Sequence, residues 1–156
     1  MRKKAIITLC ERHPDCEFLS FTNGTLIDEA FADEMLRVKN FIPAISVEGF
    51  EEATEGRRGE GTYQKVVRAM RLLKQHGLPF GVSCCYTSAN ADSIASEEFF
   101  DWMIGPGVLF AWIFTYMPVG VDAPAELLVQ AAHRERLYRF VPATRSKKPL
   151  LTPTLH

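Results

Sequence analysis

No stretch of the 156 residues is long and apolar enough to read as a membrane span. The longest apolar run, Val108 to Val119, reaches about half of the ~20 residues that a helix needs to cross a bilayer, and it reads instead as a buried strand. A secretory leader is not expected either. Met1-Arg2-Lys3-Lys4 has the right basic character, but the apolar stretch Ala5 to Leu9 falls short of the usual ~7 to 15 residues and is closed off by Glu11, Arg12 and Asp15. A soluble, cytoplasmic chain is expected. Excess charge of either sign is missing: 18 Lys plus Arg stand against 19 Asp plus Glu, for a formal net charge of -1. Such a balance offers no general attraction to nucleic acid or to anionic lipid, and neither is expected as a partner. Cysteine is scarce, with four residues of which Cys84 and Cys85 are adjacent, so reduced thiols fit better than a disulfide framework. Nucleophile elbow, phosphate loop and dinucleotide fingerprint are all absent. That leaves Glu48, as an acid or base near His76 or His133, as a minor conventional alternative.

What is present is apolar matter arranged in alternation. With 47% hydrophobic residues the chain can bury one compact core, and residues 1–156 are read as a single domain. Ile6, Leu9 and Cys10 suggest a helix to about Arg12, ended by Pro14. Phe18 to Phe21 reads as a strand closed by the turn Thr22-Asn23-Gly24. Asp28 can cap a helix carrying Phe31, Met35, Leu36 and Val38, and Phe41 to Val47 is a buried strand. Glu48 to Gly61, charged and broken by glycine, reads as a loop. Thr62 then caps a helix from Tyr63 to His76, with Val66, Val67, Met70 and Leu73 in a stripe and Gly77 as its stop. Leu78 to Tyr86 and Val108 to Tyr116 are further strands, Ser96 to Ile104 and Pro124 to Phe140 further helices, and Leu150-Leu151 could begin a fifth strand.

Strands that are apolar throughout and alternate with helices belong to a parallel sheet under a helical cover. A complete eightfold barrel takes ~250 residues. The expected fold is therefore α/β, an incomplete (β/α) TIM-type barrel, with a flavodoxin-like doubly wound sheet as the alternative that periodicity leaves open. In either arrangement ligands gather at the carboxyl ends of the strands, where loops converge and helix N-termini point inward. Those ends are Thr22 to Thr25, Ser46 to Gly49, Cys85 to Ser88 and Tyr116 to Gly120. Turn residues belong at strand ends in any case, so identity has to carry the functional reading.

Phe21-Thr22-Asn23-Gly24-Thr25, Ile45-Ser46-Val47-Glu48-Gly49, Arg57 to Tyr63 and Tyr116-Met117-Pro118-Val119-Gly120 occur in an order and at spacings that resemble the radical S-adenosylmethionine (radical SAM) enzyme family. The similarity runs from about Glu17 to Pro149. It implies the part of a partial barrel from about strand 3 to the start of strand 7. In that family a CxxxCxxC loop holds a 4Fe-4S cluster that binds S-adenosylmethionine and cleaves it to a 5'-deoxyadenosyl radical. By the same resemblance, Ser46 and Arg58 match positions that contact the carboxylate of S-adenosylmethionine. A guanidinium forks onto a carboxylate through two parallel hydrogen bonds, which agrees with that role. Arg57 competes for it. Asn23 and Thr22 would face the ribose or the substrate, and Tyr116 and Met117 would flank the adenine.

The chain departs from the family in lacking both the CxxxCxxC segment and the Gly-Gly-Glu-type turn after the second barrel strand. Cys84 and Cys85, as neighbours in a strand, should point to opposite faces and not share a metal. Cys10, His13 and Cys16 have a metal-like spacing that Pro14 disrupts. No residue is therefore assigned to a metal. The expectation is a fragment of a radical SAM oxidoreductase or modifying enzyme, inactive alone. The alternative is a non-catalytic remnant that binds S-adenosylmethionine or a partner protein. The missing barrel segments or a partner chain are the implied partners, and an open sheet edge should favour self-association.

Overall fold

Residues 2–155 are described by a computed structural model. Five strands, β1 (Phe18–Thr22), β2 (Phe41–Val47), β3 (Gly81–Tyr86), β4 (Phe110–Thr115) and β5 (Thr154–Leu155), form one sheet in the order of the chain. Every pairing is parallel. Between them run α1 (Lys3–Arg12), α2 (Glu29–Val38), α3 (Glu51–Arg58), α4 (Thr62–Gln75), α5 (Ala91–Ile94), α6 (Glu97–Ile104) and α7 (Ala131–Arg145).

Strand order decides between the two expected topologies. A doubly wound sheet reverses its order at a switch point and carries helices on both faces, whereas here each strand lies beside its sequence neighbour. The fold is the incomplete (β/α) barrel. Side chains alternate across the sheet, and one set, including Ile45, Val47, Val82, Cys84 and Ala111, is fully buried. Helix stripes cover that set. Val66, Ala69, Met70 and Leu73 of α4 recur at helical spacing, and Phe31, Ala32 and Met35 do the same on α2. The opposite set is open: Leu19 is 44% and Phe21 51% exposed, and Trp112 and Phe114 are half-buried. Phe21 nonetheless meets Trp112 and Phe114 with ring centroids 6.1 and 5.6 Å apart. In a flat sheet β1 and β4 would lie roughly 14 Å apart, three strand spacings, so this face is concave.

Local signals account for most boundaries. The Asp28 carboxylate accepts the Phe31 N–H at 3.0 Å, and the Ser96 hydroxyl accepts the Phe99 N–H at 3.2 Å. Asn40 ties down the turn after α1, donating to the carbonyls of His13 at 3.0 Å and Cys16 at 2.9 Å. Four expectations need correction. Glu48 to Gly61 is not an open loop but contains α3, and its first residues, Glu48 and Gly49, are buried. Thr62 does not cap α4: it is the first helical residue, while Gly61 at φ 71° makes the cap. The last helix begins later and ends later than expected. A short 3-10 turn, Ala125–Leu127, precedes α7, which continues through Pro142 to Arg145. Finally, Leu150-Leu151 gives a single bridge, Leu151 to Phe110, and the paired segment comes after Pro153.

Candidate functional site

The carboxyl ends of β2 and β3 meet on the concave face. Ser46 and Ser83 are register partners, and their hydroxyls lie 3.1 Å apart. Two residues beyond Ser46, on the same face by alternation, stands Glu48, with 1% of its side chain exposed. One carboxylate oxygen accepts Arg57 Nη1 at 2.9 Å and the Cys85 N–H at 3.3 Å, and the other accepts Arg58 Nη2. The end of α3 delivers both arginines, because a helix closing at Gly59 places its last residues back over the strand end from which it started. Burial works against the charge of Arg57. The nearby Cys85 and the Glu48 carboxylate outweigh that and hold the guanidinium above its ordinary pKa. Arg58 is 27% exposed, yet its Nε is buried without a hydrogen-bond partner. Asn90 closes the rim from below, donating to the Glu48 carbonyl at 2.9 Å and the Cys85 carbonyl at 2.8 Å.

The residues singled out from sequence fall into two groups. Arg57 and Arg58 come together on Glu48, while Ser46, two residues before Glu48 on the same strand face, pairs with Ser83. Asn23 lies at the end of β1, where its side-chain oxygen accepts the Thr25 N–H at 3.2 Å and the Thr25 hydroxyl at 3.0 Å, so it shapes its own turn. Tyr116 and Met117 lie past the end of β4. The Tyr116 N–H donates to the Tyr86 carbonyl, and Met117 is 72% exposed. Both line a cleft of about 690 Å³ whose other wall, Leu128, Leu137 and Tyr138, comes from α7 and the segment before it. The expected helix Pro124 to Phe140 contains these residues, but its sequence does not say against which strand end they pack. Sequence reasoning missed Ser83, whose signal was available: the one serine in the apolar run Leu78 to Tyr86, two residues before Cys85.

The pairing of Glu48 with His76 or His133 is overturned. His76 Nε2 faces Glu29 and Asp33 at 3.3 and 3.4 Å, and His133 Nδ1 accepts the Gln130 N–H. Neither reaches the rim. Cys84 and Cys85 do point to opposite faces: Cys84 is buried among the helices, where desolvation pushes its thiol far above the ordinary value, and Cys85 is half-buried beside Glu48. Among the described residues no group of three or more His, Cys, Asp or Glu could hold a metal ion, so the donor set of a cluster does not form from them. No helix among them is long and apolar enough to cross a membrane. The rim does fit an anion of carboxylate size. It offers hydroxyls, two guanidiniums against one carboxylate, and a buried N–H that lacks an acceptor.

Comparison with known proteins bears on the family and the fold. The family model described as the radical SAM superfamily matches residues 2–99. The cysteine-type anaerobic sulfatase-maturating enzyme of Clostridium perfringens is 38% identical over 74 residues, 45% of this chain and 20% of that protein. Among solved structures, SuiB from Streptococcus suis bound to S-adenosylmethionine superposes on 97% of this chain with a TM-score of 0.77 at 17% identity, over 36% of its own length. A domain of pyruvate-formate lyase-activating enzyme from Bacteroides vulgatus matches 99% of this chain and 91% of its own at a TM-score of 0.64 and 8% identity. The chain thus spans well under half the length of the sulfatase-maturating enzyme and of SuiB.

Proposed function

The chain belongs to the radical SAM superfamily, and from that premise we propose that it forms the later part of an S-adenosylmethionine-binding barrel, about strand 3 to the start of strand 7. The observation that carries the reading is the Arg58 guanidinium. It is held at the strand-end rim by Glu48, two residues beyond Ser46, with its Nε buried and unpartnered. Arg58 and Ser46 receive the methionyl carboxylate, a planar anion that a guanidinium grips through parallel hydrogen bonds. Tyr116 and Met117, over the cleft along α7, flank the adenine, and Asn23 and Thr22 stand on the side of the ribose or the substrate. Phe21, Trp112 and Phe114 give the concave face in front of the rim an apolar lining. When bound, S-adenosylmethionine supplies a sulfonium centre whose one-electron reduction yields a carbon radical for hydrogen abstraction.

The described residues do not assemble thiolates for a 4Fe-4S cluster. In this reading the cluster ligands belong to a further barrel segment or a partner chain, and the chain by itself is inactive in substrate oxidation or modification. SuiB with its precursor peptide SuiA and anSMEcpe with the Kp18Cys peptide are structural relatives, which supports a peptide substrate for the assembled enzyme. The absence of a cluster donor set also favours a second reading, a non-catalytic module that binds S-adenosylmethionine or a partner protein. Calorimetry with S-adenosylmethionine tests the site common to both. Binding is expected, and Arg58→Ala should weaken it by about tenfold or more, as loss of a charge-assisted pair does. An absence of heat at millimolar ligand would refute the site. Anaerobic incubation of the chain with iron and sulfide separates the readings: a cluster absorption band from the chain alone would overturn its redox silence.

A further inference from the structure

Glu48 is the most deeply buried carboxylate at the rim, and the carboxylate site just described assigns it no role. It is fixed at every polar atom. Its oxygens take Arg57, Arg58 and the Cys85 N–H, its own N–H donates to the Thr54 hydroxyl at 3.2 Å, and its carbonyl accepts Asn90. A side chain and backbone tied at so many points do not swing aside, so Glu48 is no movable plug competing with a ligand for Arg58. One carboxylate against two guanidiniums also leaves positive charge at the rim. The two arginines share that charge unequally. Arg57 gives Nη1 to one Glu48 oxygen, while Arg58 gives Nη2 to the other and keeps a buried Nε with no acceptor. A guanidinium held at one terminal nitrogen by a fixed carboxylate is restricted in rotation, and its remaining edge has less freedom to lose when a ligand arrives.

We propose that Glu48 is a positioning residue: it holds Arg58 through Nη2 so that the Nε edge is preset for the carboxylate of S-adenosylmethionine. This rests on the cofactor reading above and goes one step deeper, to the residue that gives the arginine its direction.

Two ligands separate positioning from mere support of the fold. S-adenosylmethionine carries the carboxylate, whereas 5'-methylthioadenosine has the same adenosine and sulfur but no amino-acid group. Glu48→Gln keeps size and acceptor oxygen and removes the charge. It should weaken S-adenosylmethionine roughly tenfold or more, ~1.4 kcal/mol per decade, while 5'-methylthioadenosine binds as to the wild type. Equal loss for both ligands, or no loss for either, overturns the proposal. Should Glu48→Gln fail to fold, Glu48→Asp, which retracts the same charge by one methylene, is measured in its place. Nitrogen-15 NMR of the ligand-free wild type needs no folded variant. The Arg58 side chain, assigned by the signal lost in Arg58→Lys, should show separate Nη resonances from restricted rotation, and a freely rotating guanidinium overturns the proposal. Wild-type protein that binds neither ligand refutes the cofactor reading and this role with it. Wild-type protein that binds S-adenosylmethionine but shows a mobile Arg58 refutes this role alone.

Discussion

Single polar residues at the ends of strands do unequal work in this chain, and their contacts separate them. Asn23 spends its side chain on Thr25 of its own turn, while Ser46 reaches a hydroxyl 37 positions away. In the sequence the two are alike, each a small polar residue closing an apolar run, so their difference was not legible there. Glu48 was visible as a strand-end carboxylate, but its partners were not, since a carboxylate nine and ten residues before a pair of arginines meets them only when a helix folds the chain back. Asp28 is a case where local sequence sufficed. Its carboxylate takes a hydrogen bond from Lys3 at 2.5 Å and from the Phe31 N–H, and these hold its pKa below the ordinary value. Because the native pKa is the depressed one, the unfolded chain takes up the proton more readily. The stabilisation is complete above about pH 4 and is lost as the pH falls through the native value. Asp28→Ala should therefore cost about 1 kcal/mol at pH 7, mostly through the lost cap, since an exposed ion pair contributes little. Urea denaturation should show the gap between wild type and variant narrowing toward pH 3. A gap of constant size would refute the assignment.

Among the elements, those with strong periodicity or an explicit cap were legible, and those whose signals conflict were not. β2, α2 and α4 follow from apolar runs and stripes. In α3 the sequence Glu51-Glu52-Ala53-Thr54-Glu55-Gly56-Arg57-Arg58 offers little apolar surface, with Thr54 its one buried residue. Its acids in the first turn and arginines in the last favour the helix through the macrodipole, a weaker cue than a hydrophobic stripe. Pro142 hid the end of α7 in the same way, since proline normally breaks a helix interior. The contact between β3 and β4 depends on a missing side chain. A Cβ on Gly81 would lie 2.1 Å from the ring of its register partner Phe110. Gly81→Ala should then cost about 1–3 kcal/mol through overpacking and lower the melting temperature by several degrees. Trimming the ring in Gly81→Ala/Phe110→Leu should recover part of the loss, and strict additivity of the two substitutions in a thermal melt would argue against the contact.

For the molecule as a whole, the decisive feature is a parallel sheet with helices on one side only. Such sheets are ordinarily buried on both faces, yet Leu19 and Phe21 stand open on the concave side, and β1 is an end strand of the sheet among the described residues. Self-association at tens of micromolar is the expected outcome by analytical sedimentation, and a well-behaved monomer at that concentration would count against it. Sequence order and spatial order also coincide across this sheet, with a further consequence for how it comes apart. Each strand zips only to the one before and the one after, so opening can start at either terminus and peel inward without disturbing the middle. Amide protons of β2 and β3 would exchange slowest, those of the outermost strands fastest. The arginine cradle, seated between the two slowest strands, would then be among the last parts of the molecule to let go.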